Sequence, residues 1–281
     1  MRAKLKSWAL LSGSLGVLVA LAACHKNHPL VASPAAALTP AAAPLVLRSD
    51  GSAYHCAFDP RSGTLYLNDS NSFDFYSADP SIVRRPQKGR IYFTDARQRP
   101  GAVYELAGNT AKPIFNFASA AVRVVFTHTT YVRDVAFDPS GNLYFSEAFG
   151  AGKDGKIYKF DPAAHAASLF YTVPLASVGG SWAGDFTFSP DGHLYLSTGN
   201  RVGGSVYRVD DPAAPSPPVT VYSVPNEAVD GIALDRAGHL YYSNWNDKVE
   251  GHIYQVSLAT GARKLLFSAP GRWIWGLSLP Q

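Results

Sequence analysis

The chain has 281 residues, rich in Gly (24), Pro (20), Tyr (15) and Phe (15), with 25 basic against 21 acidic side chains. Arg2, Lys4 and Lys6 carry most of the basic excess, since residues 24–281 hold 22 basic and 21 acidic residues. This near balance argues against nucleic acid as a partner, and two cysteines with no CxxC motif give neither a disulfide framework nor a zinc or haem signature.

Residues 1–23 read as a signal peptide. A basic start is followed by an apolar stretch from Trp8 to Ala20 and then by Leu21-Ala22-Ala23-Cys24. The last four residues resemble the lipobox of bacterial lipoproteins. That resemblance implies an acylated Cys24, palmitate among its acyl chains, as the mature N-terminus and membrane anchor. His25, where sorting signals for the inner membrane carry Asp, implies a cell-envelope location at the outer membrane or periplasmic side. Residues 24–44 are an Ala/Pro-rich tether, expected to be extended and semi-rigid. His25 and His28 read as solvated tether residues.

Residues 45–281 are expected to form one all-β domain. HCAFDPRSGTLYLND (55–69) reads as a β-hairpin, with a turn built by Asp, Pro and Gly between apolar runs. Cys56 sits in the first of these runs and reads as a buried small hydrophobe. The hairpin recurs as SIVRRPQKGRIYFTD (81–95, weaker), VRDVAFDPSGNLYFSE (132–147), GDFTFSPDGHLYLST (184–198) and VDGIALDRAGHLYYSN (229–244). A third strand recurs as GAVYEL (101–106), GKIYKF (155–160), GSVYRV (204–209) and GHIYQV (251–256), and the chain ends on one more opening strand, IWGLSL (274–279).

Repetition with several strands per unit predicts a β-propeller of four-stranded antiparallel blades. The turn glycines Gly89, Gly141, Gly192 and Gly238 lie 52, 51 and 46 residues apart. This spacing gives five blades, four starting near 81, 132, 183 and 228. The fifth would pair the C-terminal strand with strands from 53–77. A second phase divides 53–127 into two blades and gives six. Either phase closes the ring through the two ends of the domain, which removes exposed sheet edges.

The pattern Asp-x-Ala-Phe-Asp-Pro-x-Gly-x-Leu-Tyr, followed by Gly-x-Ile/Val-Tyr, resembles the NHL-repeat propellers and the senescence-marker-protein/gluconolactonase superfamily. The likeness covers most of 53–281 and implies six blades. It also implies a metal-binding Asp at Asp230, in the Val-Asp-Gly segment. The family's Glu-Gly-Pro is missing, and Gly184-Asp185 stands where the family has Asn-Gly.

Turn residues Asp59, Asp138 and Asp235 are expected to serve the turns themselves. The opposite end of each hairpin is chemically richer. His55, Asp134, Asp185, Asp230 and Trp275 enter the inner strands, while Asp69, Asp95, Glu147, Asn200, Asn244 and Asn246 leave the second strands. In a propeller these positions converge on one end of the central channel. Asp134, Asp185, Asp230 and Glu147 are therefore the candidate metal or ligand residues, and oxygen donors of this kind suit Ca2+ or another divalent cation. Asn200, Asn244, Trp245 and Asn246 form a candidate ligand-binding face. Trp182, Trp245, Trp273 and Trp275 flank the same face, where a Trp can stack on a sugar or plug the channel. No nucleophile elbow or phosphate loop is present.

The function expected is a membrane-anchored exported lipoprotein whose propeller binds a carbohydrate, a small molecule or an envelope protein. The alternative is a metal-dependent lactonase-like hydrolase. A sugar-dehydrogenase reading stands third, without a cofactor motif.

Overall fold

The structure is a computed structural model and describes residues 45–280, apart from 48–52, 63, 70–73, 79–86, 96–101, 109, 117–120, 128–131, 148–153, 162, 179–184, 201–202, 215–216, 246–249 and 272. Cys24, the tether and Asn246 lie outside the described residues.

The strands in the first half are β1 (Leu45–Leu47), β2 (Ala53–Phe58), β3 (Leu65–Asp69), β4 (Asp74–Ala78), β5 (Tyr92–Asp95), β6 (Ala102–Ala107), β7 (Thr110–Asn116) and β8 (Ala121–Thr127). Next come β9 (Val132–Phe137), β10 (Leu143–Glu147), β11 (Gly155–Asp161), β12 (Ala166–Val173), β13 (Phe186–Phe188) and β14 (Leu194–Asn200). The last are β15 (Gly203–Val209), β16 (Val219–Pro225), β17 (Ile232–Leu234), β18 (His239–Trp245), β19 (Glu250–Ser257), β20 (Arg263–Pro270) and β21 (Ile274–Ser278).

They form five antiparallel sheets, the blades of a propeller. Three are consecutive four-stranded meanders: β9 to β12, β13 to β16 and β17 to β20. The repeat spacing therefore gives the blade number, and the six blades implied by family likeness are not found.

The other two blades exchange strands. β2, β3 and β4 are completed by β8, with β1 added outside it, while β5, β6 and β7 take the C-terminal strand β21 as their innermost member. The expected closure is corrected here. The C-terminal strand pairs with 92–95, with Leu277 opposite Phe93, and not with strands from 53–77. The reason lies in the second hairpin copy. Gly89 keeps the left-handed turn conformation (φ 73°) and its amide meets the Pro280 carbonyl at 3.3 Å. The hairpin is thus rebuilt from two distant segments, with β21 in the place of a first strand.

Blade stacking explains the sequence of the second strands. Leu143 to Glu147 are all buried, although alternation is what a half-buried strand would display. Leu143 and Phe145 pack with Ala57 of the preceding blade, while Tyr144 packs with Phe186 and Phe188 of the next. Both faces are interior, so the period of two is hidden beneath a continuous apolar run. Outer strands keep it better: β12 exposes Ser168 and Thr172 and buries Tyr171 and Val173. Phe58 meets Tyr92 at 4.7 Å between ring centroids, across the boundary between the two strand-exchanged blades.

Hydroxyls at one repeat position join the inner strands. Thr94, Ser146, Ser197 and Ser243 are fully buried. Ser197 Oγ donates to the Asp230 carbonyl at 2.8 Å and Ser243 Oγ to the Trp275 carbonyl at 3.0 Å, each reaching the next blade. Ser146 Oγ accepts the Asp134 amide at 3.1 Å, and Thr94 Oγ1 accepts the Gly276 amide at 3.2 Å. A small hydroxyl can satisfy buried backbone groups where strands of adjacent blades come too close for a larger side chain.

Candidate functional site

The entry residues of the inner strands do meet. His55 is the third residue of β2, Asp134 lies in β9, Asp185 immediately precedes β13 and Asp230 lies two residues before β17; all four are buried. His55 bridges two blades, with Nδ1 3.2 Å from Asp134 Oδ1 and Nε2 3.3 Å from Asp185 Oδ1. Arg133 Nε reaches the same Asp185 oxygen at 3.3 Å. The Arg133 guanidinium also lies 5.0 Å from the centre of the Trp275 ring, so this Trp is a cation-π partner at the channel end.

Asp134 has a structural share in the cluster. Its Oδ1 accepts the Val135 amide at 2.7 Å and its Oδ2 the Phe186 amide at 2.8 Å. Asp185 and Asp230 differ from it, because each has one buried carboxylate oxygen, Oδ2, without a hydrogen-bond partner among the described residues. Burial raises the Asp185 pKa despite His55 and Arg133 beside it. Burial, and then the charge of Asp185, push Asp230 up to about 8. Burial opposes the charged form of His55, but Asp185 and Asp134 outweigh it and raise the pKa. The cluster thus holds two basic groups, Arg133 and His55, among three carboxyls, with Asp230 favouring its neutral form.

His55, Asp134 and Asp185 each offer a ligand atom within 4.8 Å of the others. This donor set, with the orphaned oxygens of Asp185 and Asp230 beside it, fits a divalent cation once His55 is neutral.

The remaining candidates lie elsewhere. Glu147 is buried on β10, where it accepts from Tyr158 OH at 3.2 Å and faces Lys156 at 3.5 Å. Asn244 donates to Glu227 at 2.9 Å, and its Oδ1 lies 3.1 Å from His252 Nδ1. Asn200 ends β14 and Trp245 ends β18; their side chains are outside the described residues. Among the turn residues, Asp59 accepts the Arg61 amide, Asp138 the Asn142 amide and Asp235 the His239 amide, as a turn reading requires. Arg133 and His55 are the cluster members left out of the candidate set read from the sequence: Arg133 adjoins Asp134 and has no counterpart in the other copies, whereas His55 occupies the repeat position of Asp134, Asp185 and Asp230, a signal that could have placed it in the site.

No family pattern and no curated relative matches the amino-acid sequence. Solved structures similar to this chain include regucalcin from Agrobacterium tumefaciens, described as a calcium-binding protein, at 14% identity over 84% of this chain and 81% of that one, TM-score 0.48. A gluconolactonase from Xanthomonas campestris is 17% identical over 82% of this chain, TM-score 0.40, and this chain spans 62% of that protein. A nidogen/laminin complex gives 15% identity over 83% and 86% of the two chains, TM-score 0.44. At these values no substrate, metal or activity transfers from them.

Proposed function

We propose that this chain is an exported lipoprotein, held at a membrane of the cell envelope by acylated Cys24, whose propeller is a ligand-binding module. The observation that supports it best is the pair of orphaned, buried oxygens, Asp185 Oδ2 and Asp230 Oδ2, beside the His55–Asp134–Asp185 group. Buried carboxylate oxygens are costly without a partner. A divalent cation, or a hydroxyl of a polyhydroxy ligand, would satisfy them. Hard oxygen donors favour Ca2+, and the His55 imidazole extends the set towards transition metals.

The test is a melting curve of chelator-treated protein with calcium, magnesium or zinc. A ligand that binds only the native state stabilises it by about 2.7 kcal/mol at a hundredfold excess over Kd. The expected result is a rise in Tm for wild type and a much smaller one for Asp185→Asn and Asp230→Asn. If no cation moves the wild-type curve, the cation reading is lost, and a screen of polyols and sugars decides whether this end binds a ligand at all. The anchor is tested separately: Cys24→Ser should release the protein from membranes, and unchanged partition would remove that part of the proposal.

A second reading is a metal-dependent lactonase-like hydrolase. It is favoured by Asp230, whose pKa of about 8 suits proton exchange near neutral pH. In that reading His55, Asp134 and Asp185 would hold the cation, which supplies Lewis acidity toward a carbonyl. Release of acid from simple sugar lactones, lost in Asp230→Asn, would support it.

A further inference from the structure

The other end of the channel is built differently. The five inner strands enclose a cavity of about 350 Å3 that opens among the hairpin turns. Its size falls within the roughly 300–1,000 Å3 of small-molecule pockets. Farthest from the turns it is lined by Cys56, Val135, Phe186, Ala233 and Leu277, one residue from each inner strand. These neighbour the polar cluster in sequence, yet none carries a charge.

The mouth carries cations. Arg61 and Arg236 come from hairpin turns and Lys88 from the turn before β5, and all three are exposed. Arg61 donates to the Ser140 carbonyl, which fixes its guanidinium across the rim above Gly141. A second hollow of about 310 Å3 adjoins this mouth and shares Lys88 and Arg236. The nearby acids are engaged: Asp138 accepts from Asn142 and Tyr144, and Asp235 from Ala237, His239 and Tyr241. Among the described residues, no carboxylate is paired with Lys88 or Arg236.

We propose that this mouth binds a small amphiphilic carboxylate, its head between Lys88 and Arg236 and its apolar tail in the channel. Charge complementarity selects the head, and the uncharged inner lining selects the tail. The site lies at the opposite end of the strands from the His55 cluster and does not depend on it.

The experiment is isothermal titration of the protein with octanoate at low ionic strength, beside octanol and octylamine. Octanoate should bind most tightly and weaken as salt is added. The exposed double variant Lys88→Glu/Arg236→Glu should keep the wild-type melting curve, weaken octanoate by about tenfold or more and favour octylamine. Cys56→Leu should weaken all three by filling the channel. If that variant does not fold, the charge-reversed pair still decides. Equal affinity for octanol and octanoate overturns the proposal, as does unchanged octanoate binding in the charge-reversed variant. So does no binding of octanoate at millimolar concentration.

Discussion

Asp134 reaches across a blade boundary to the backbone of Phe186, accepting its amide at 2.8 Å. The same carboxylate accepts the amide of Val135. One residue therefore fixes the start of its own inner strand and of the next. This makes Asp134 a structural member of the polar cluster, whereas Asp185 and Asp230 have oxygens to spare.

The first prediction follows from that division. Asp134→Ala leaves buried N–H groups unsatisfied, at about 1–3 kcal/mol each. Its denaturant midpoint should fall sharply, and that of Asp134→Asn by less, because an amide oxygen still accepts one bond. Asp185→Asn should lower the midpoint for a different reason, because it takes the shared carboxylate away from Arg133 and buried His55. Equal midpoints for wild type and Asp134→Ala would remove the structural role.

The second concerns pH. Asp230 titrates at about 8 in the fold, against an ordinary value of 3.8. The folded state then binds a proton that the unfolded chain has lost. Its contribution is full below the unfolded value and is lost as pH rises towards 8. The raised pKa of His55 acts in the same direction above its ordinary 6.5. In chelator-treated protein, Asp230→Asn should flatten the decline between pH 4 and 8 and become the more stable of the two proteins at pH 8. Denaturant unfolding at pH 5 and 8 measures both. Parallel pH curves for the two proteins would show that Asp230 is not held neutral.

How much of this was legible beforehand depends on which contacts are local. The hairpins were readable because Asp138, Gly141 and their equivalents build turns within a few residues. The spacing of those turns pointed to five blades, but a second phase over 53–127 left six open, because the inserted strands β5 to β7 interrupt the first repeat. The strand exchange was not readable, since β21 pairs with β5 across about 180 residues and IWGLSL matches any inner strand equally well. The convergence of Asp134, Asp185 and Asp230 was visible as one repeat position. Arg133 was not, because a bulky cation beside Asp134 alternates to the other side in a flat strand. Its approach to Asp185 depends on how two blades stack.

Closure gives the third prediction. Gly231 lies against β21 so closely that an added Cβ would strike the Trp275 carbonyl and come within 2.6 Å of the Leu277 amide nitrogen. Both are backbone atoms of the closing strand, so neither can swing aside. Gly231→Ala should cost about 3 kcal/mol or more, by forcing β21 away. Gly238 has open space around it and a φ of 80°, so Gly238→Ala should cost only about 1 kcal/mol, through backbone strain. Deleting 273–281 should expose the edge of β5 and produce oligomers in light scattering. A monomeric truncated protein with the wild-type Tm would refute closure by this strand.

The last prediction separates a closed ion-pair network from a cation site. Arg133 supplies positive charge at 3.3 Å from Asp185 Oδ1 and is itself about one-fifth exposed at the side chain. In a closed network its loss is simply destabilising, because Asp185 keeps a buried charge with one partner fewer; after allowance for solvent, about 1–3 kcal/mol is expected. A cation site makes the further demand that Arg133 competes with the cation for the same carboxylate. Arg133→Met should then lower Tm in chelator and yet bind the divalent cation about tenfold more tightly, a difference of about 1.4 kcal/mol. Calcium would recover most of the lost stability in the variant. A fall in Tm that calcium leaves untouched would assign the cluster to blade cohesion alone, with the positive charges of Arg133 and His55 already serving the carboxylates in place of a metal.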